Sequence, residues 1–187
     1  MPRILLHSCC GPCTLYPLQK LRNEGWLVHA FYFNPFIQPY QEFVKRLETF
    51  QWVATKKSLP TIVRKNYDPV GFFRQVVFRE SHRCRFCYSV RLDAAARLAR
   101  KSKMDAFTTT LLFSKHQNHE LIRTLAEEAS IRNGIPFHYE DFRLGWKEGQ
   151  TQARAMEIYR QQYCGCIYSE KERFFSGMPS TEEESEP

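Results

Sequence analysis

The apolar positions change period repeatedly along the chain. Ile4-Leu5-Leu6 is a short continuous run, and Trp26 through Phe33 is a longer one that stops at Asn34-Pro35. Apolar runs of this length, bounded by turn residues, predict buried strands. Between them, Leu15 to Arg22 has helical character. From Tyr40 to Lys57 the positions Phe43, Val44, Leu47, Phe50, Val53 and Ala54 recur at helical spacing. Leu59 to Val63 reads as a third strand and Val70 to Phe78 as helix. Tyr88 to Arg100 reads as a further helix, with Leu92, Ala95, Ala96 and Ala99 on one face. The β-branched run Ala106 to Leu112 predicts a strand, and His119 to Arg132 a helix stopped by Asn133-Gly134. Phe137 to Tyr139 is expected to add a last short strand, and Gln150 to Gln162 a last long helix. This alternation predicts an α/β fold: one domain with an open, mostly parallel sheet and helices on both faces. A helical insertion around Phe72 to Phe78 is expected to carry the next cysteine motif.

Composition sharpens this picture in two places. The chain has 187 residues and a formal charge of +7, but Glu182, Glu183, Glu184 and Glu186 crowd the C-terminus. Residues 1–176 are expected to fold and 177–187 to form a disordered acidic tail. Without those four glutamates, 27 basic side chains face 16 acidic ones. An excess of that size favours a polyanionic partner, nucleic acid first. No apolar run approaches the ~18 residues that a membrane span needs. Met1-Pro2-Arg3-Ile4 leads straight into a strand with no room for a signal peptide, so a cytoplasmic location is expected. Seven cysteines in a reducing compartment point to metal or thiol chemistry.

The cysteines sort by motif. His7-Ser8-Cys9-Cys10-Gly11-Pro12-Cys13 sits where the first strand turns into the first helix, a place where ligands collect in α/β proteins. Cys10-x-x-Cys13 and Cys84-Arg85-Phe86-Cys87 are two C-x-x-C pairs, which together suggest a four-thiolate centre. Zinc accepts such a set, but the first pair lies in a domain with ample core, which favours iron–sulfur ligation. Neighbouring residues of a strand point to opposite sides, so Cys9 and Cys10 are not expected to serve one centre equally. Tyr163-Cys164-Gly165-Cys166 is a C-x-C pair, suited to a labile redox disulfide or to an extra iron. Candidate proton donors are His7, His116, His119 and Asp141. His82 and His138 read as structural. Tyr32, Phe33, Phe36, Tyr40 and Phe86 are candidates for stacking on a base, with core packing as the alternative. Arg83, Arg85 and Arg91 are candidates for phosphate contacts.

These segments resemble the cobalamin-independent epoxyqueuosine reductases. The resemblance is carried by the first Cys motif, Tyr32-Phe33-Asn34-Pro35, Arg83-Cys84-Arg85-Phe86-Cys87 with Arg91-Leu92, and Thr108 to Leu112. It continues through Tyr139-Glu140-Asp141-Phe142-Arg143 and Tyr159 to Ser169. One departure is Leu112-Phe113-Ser114-Lys115-His116, which lacks a Ser-Pro after the Thr-rich strand. The resemblance implies a nucleotide-hydrolase-like (HUP-type) fold, a [4Fe-4S] cluster and reduction of epoxyqueuosine to queuosine at the tRNA wobble nucleotide. In that setting Cys10, Cys84 and Cys87 would hold the cluster, with Cys13 or Cys9 completing it. Cys164 and Cys166 would deliver reducing equivalents or bind an additional non-cluster iron. The anticodon region of tRNA and an electron donor such as a ferredoxin or flavodoxin are the implied partners. The competing reading is a zinc-braced RNA-binding module without redox catalysis.

Overall fold

Four strands and seven helices alternate through residues 1–175, the part of the chain that the computed structural model describes. The expected acidic tail at 177–187 lies outside the described residues. Strand β1 (Arg3–Ser8) leads into α1 (Gly11–Asn23), β2 (Leu27–Phe33), α2 (Tyr40–Lys56) and β3 (Thr61–Arg64). Then come α3 (Pro69–Val76), α4 (Arg83–Lys101), β4 (Ala106–Thr109), α5 (His119–Asn133), α6 (Trp146–Ala155) and α7 (Ile167–Phe174).

All three strand pairings are parallel, in the order β3-β2-β1-β4. Such strands are covered on both faces, which explains why Ile4, Leu5 and Leu6 form an unbroken apolar run and are wholly buried. Each of these side chains contributes about 2 kcal/mol by leaving water. From β1 the chain steps outward to β2 and β3, then returns to the other side of β1 for β4. Right-handed crossovers therefore place α1 and α2 on one face and α4 and α5 on the other, and each of these helix pairs packs together. The reversal of direction makes the carboxyl ends of β1 and β4 the topological switch point.

The expected fold class is found, with four local corrections. Cys84 and Cys87 lie in the first turns of α4, a helix packed on β1 and β4, and the insertion of α3 only leads into it. The strand expected through Leu112 stops at Thr109 and tightens into a 3-10 turn, Thr110–Phe113, because Thr109 Oγ1 accepts from the Leu111 amide. Phe137 makes a single bridge to Phe107, not a strand, since Pro136 has no amide to extend the ladder. The last long helix ends at Ala155, and an irregular segment then carries the C-x-C pair into α7.

Candidate metal centre and adjoining pocket

The first Cys motif folds as its residues require. Cys10, two residues past the end of β1 and still extended, caps α1: its sulfur accepts from the Cys13 amide at 3.3 Å. Pro12 occupies the first turn, where a missing amide hydrogen is harmless. Gly11 is needed because a Cβ there would lie 2.9 Å from the Thr49 carbonyl oxygen of α2. Strand alternation has ended by this point, so Cys9 and Cys10 do not diverge; their sulfurs are 3.8 Å apart. Cys9, Cys10 and Cys13 bring their Sγ atoms within 4.8 Å of one another, all three buried. Among the described residues no other trio of His, Cys, Asp or Glu converges this tightly. This trio comes from the first motif alone; Cys84 and Cys87 of the second motif line a neighbouring cleft.

Side chains around the trio tune it. Thr110 accepts from the Cys9 amide (3.0 Å) and donates to its sulfur (3.2 Å). Gln161 donates to Cys10 Sγ (3.0 Å) and Cys13 Sγ (3.4 Å). Thiol donors Cys10 and Cys13, with Thr110, hold the Cys9 pKa low despite burial, while burial pushes Cys10 up. Cys13 is raised by the bonds it donates to its neighbours and by burial. His7, two residues before Cys9, is wholly buried. Its Nε2 donates to the Phe33 carbonyl (3.2 Å), so its Nδ1 accepts from Thr109 (2.9 Å), and burial lowers its pKa to about 4.

The other four cysteines meet at a neighbouring cleft of about 410 Å³, counting its open mouth. Cys84, Cys87, Cys164 and Cys166 line it together with Phe36, Phe72 and Arg91. Burial raises the Cys84 and Cys87 pKa values. Cys164 is exposed as a residue, yet its thiol is enclosed and burial pushes it to about 12. Arg91 links the two cysteine groups. It donates to Cys87 Sγ (3.1 Å) and reaches Asn34 Oδ1 (3.4 Å), and Asn34 holds the Ser8 carbonyl at the end of β1 (3.0 Å). Burial opposes its charge, but the sulfurs of Cys87, Cys164 and Cys9 outweigh that, and its pKa rises. Arg91 is therefore buried and engaged by Cys87 and Asn34.

A second buried cation positions the C-x-C segment. Arg46 pairs with Glu42 at 2.6 Å and donates to the carbonyls of Cys164 (2.7 Å) and Tyr163 (3.0 Å). Tyr159 closes the network on Glu42, and Tyr163 donates to the Gln38 carbonyl at 2.6 Å. Gly165 takes φ +141°, and Arg46 would lie 3.1 Å from a Cβ placed there. Cys10, Cys84 and Cys166 each stand at a helix N-terminus.

The remaining sequence candidates fall elsewhere. Asp141 is clamped by Arg143 at 2.8 and 2.7 Å, which lowers its pKa, and His116 lies edge-on to Trp146; neither hydrogen-bonds to a cysteine among the described residues. His119 binds the Tyr139 hydroxyl (3.1 Å). Tyr32 is fully buried against Phe43 and Phe50, so its ring has no face for a base. Phe33 stacks on Phe31, with Arg64 over both rings. Phe36 stacks on Phe86 in the cleft wall, and Tyr40 is half exposed beside Tyr67. Arg83 pairs with Glu172 and lies over Tyr168, while Arg85 reaches Glu128 at 3.7 Å. Sequence reasoning missed Arg46, Gln161, Asn34 and Thr110. Only Glu42 and Arg46 had a legible signal, an i,i+4 charge pair on the α2 face that also carries Phe43 and Leu47.

Comparisons with known proteins fit this geometry. The chain is 33% identical over 180 residues to the epoxyqueuosine reductase QueH of Dehalococcoides mccartyi, covering 96% of this chain and 98% of the relative. It is 34% identical to that of Thermotoga maritima, covering 92% and 93%. A likeness of fold alone links it to the predicted subunit of tRNA methyltransferase from Methanocaldococcus jannaschii, with a TM-score of 0.56 at 12% identity over 82% and 75% of the two chains. Residues 4–172 match the family described as "Epoxyqueuosine reductase QueH", and the chain belongs to that family.

Proposed function

We propose that this protein reduces epoxyqueuosine to queuosine at the wobble nucleotide of tRNA, in the cytoplasm. The reaction removes the epoxide oxygen as water, consuming two electrons and two protons and leaving an alkene. The observation that carries this reading is the gathering of seven reduced thiols around Arg91 and Arg46, beside an open cleft. The donor set suits iron–sulfur ligation: soft sulfur ligands and buried compensating cations. Cys10, Cys84 and Cys87, completed by Cys13 or Cys9, would supply the four ligands of a [4Fe-4S] cluster, which when bound provides single electrons. Cys164 and Cys166 form a redox dithiol or hold an additional iron.

The chain's own residues do the rest. Thr110 and Gln161 orient the trio, and Arg91 keeps the Cys87 sulfur toward the cleft. Arg46 fixes the backbone on either side of the Cys164 carbonyl, so that its thiol stays enclosed. Apolar Phe36 and Phe72 limit water at the cleft wall. The electron donor is a small carrier of the ferredoxin or flavodoxin class. The test is anaerobic incubation of the reduced, iron-loaded protein with epoxyqueuosine-containing tRNA, followed by nucleoside mass spectrometry. Loss of one oxygen supports the assignment. A colourless, zinc-loaded protein that leaves the nucleoside intact would overturn it.

A further inference from the structure

Phe78 is the most exposed aromatic among the described residues, at 94% of its free surface. It also adopts a left-handed backbone, φ +62°. Of the four non-glycine residues at positive φ among the described residues, Ser58, Lys103 and Glu157 are polar, and Phe78 alone is apolar. A bulky side chain is disfavoured in that region, and an exposed phenyl gains nothing from water. The chain nevertheless fixes both features. The Phe78 amide donates to Glu80 Oε1 at 3.1 Å, and the Val77 and Arg79 amides are tied back to Phe73 and Val76. The backbone that carries the ring is thus fixed while the ring itself faces water.

Its surroundings say what it is presented to. Helix α3 turns Phe72 and Val76 inward and leaves Phe73 and Val77 on the outer face. Phe72 packs against Phe36 in the wall of the cysteine cleft, so the exposed knuckle stands just outside that wall, six residues before Cys84. Arg74 of α3 and Arg79, the next residue in the chain, are exposed, and neither forms an ion pair among the described residues. An exposed aromatic ring with two exposed arginines within four residues of it, on a chain of charge +7, matches single-stranded nucleic acid: the ring takes a base and the arginines take phosphates.

We propose that Phe78 is an RNA-positioning residue that stacks on an unpaired anticodon-loop nucleotide next to the one entering the cleft, with Arg74 and Arg79 on the adjoining phosphates. This inference rests on the tRNA reading above and names the surface that reading lacks. The test uses full-length protein and an unmodified anticodon stem-loop RNA, so that binding is read apart from reduction. Phe78→Asn removes the ring while suiting a left-handed backbone, so it folds at least as stably as the parent; it should bind the RNA about tenfold more weakly. Phe78→Trp should keep parental affinity, and its added emission should be quenched by the RNA. Arg79→Gln should lower the slope of log affinity against log salt by ~0.7. Unchanged RNA affinity in F78N, or no quenching in F78W, overturns the inference and leaves the reductase reading standing. So does an F78N defect confined to turnover driven by a protein electron donor, which would assign the knuckle to that protein. Conversely, Phe78-dependent RNA binding by a protein that reduces nothing sinks the reductase reading alone.

Discussion

Two groups of thiols share Arg91 and differ in how they are held. Cys9, Cys10 and Cys13 come from five consecutive residues at the end of β1, are buried, and are placed by strand geometry, a helix cap and Thr110. Cys84, Cys87, Cys164 and Cys166 come from two segments far apart in sequence, are less buried as residues, and border a cleft. The first group is positioned by local structure that any folded form of the sheet would contain. The second is positioned by two buried arginines whose removal leaves the elements intact but their juxtaposition unsupported. The difference teaches that rigidity and access are divided between the two sets, one enclosed at the end of the sheet and the other bordering an open cleft.

The largest effect should separate the two groups directly. Cys10→Ser should cost more iron affinity than the ~10–100-fold loss typical of outer-shell changes. Cys164→Ser or Cys166→Ser should retain the visible chromophore and lose turnover. Iron content, absorbance and single-turnover assays check this, and loss of colour in the C-x-C variants would erase the division. Next in size is Arg46→Met. It strands Glu42 as a buried lone charge, for about 3–5 kcal/mol in denaturant unfolding. The double variant Glu42→Gln/Arg46→Met should recover most of that stability but not the order of the C-x-C segment.

The pH response tests the rigidity of the trio's support. His7 has a folded pKa of about 4 against an ordinary 6.5. Above pH 6.5 both folded and unfolded forms are neutral and the full stability is present. As pH falls from 6.5 to 4, only the unfolded chain takes up the proton, removing about 3 kcal/mol. His7→Gln should flatten this part of the stability profile of the metal-free protein; an unchanged profile would show that His7 is not held neutral. The smallest effect is expected for Gly165→Ala, roughly 1–3 kcal/mol of strain at φ +141°. Comparing thiol reactivity of Cys164 and Cys166 with that of the trio should show the disturbance confined to the C-x-C side.

Much of this was legible before any coordinates. Continuous apolar runs announced buried parallel strands, and the Cys motif after Leu6 marked the switch-point end of the sheet. Where the reading failed, a residue's neighbours in space overrode its neighbours in sequence. Arg91 looks like a phosphate contact beside Cys87, yet Asn34 from another strand end draws it inward. Tyr32 looks like a stacking platform, yet α2 covers it with Phe43 and Phe50. Cys9 and Cys10 look divergent, until the chain stops being a strand at Ser8.

The sequence by itself determined the fold class and, through its resemblance, the family. The first rests on periodicity and the second on the residues of its matching motifs, which are properties of short stretches. Only the tertiary structure decided which sulfurs converge, which arginines are buried beside them and which aromatic ring is left facing water. Those outcomes depend on distances between segments more than a hundred residues apart, such as Cys9 with Thr110 and Arg46 with Cys164. Packing of the whole sheet and its helices sets such distances, and no local pattern encodes them.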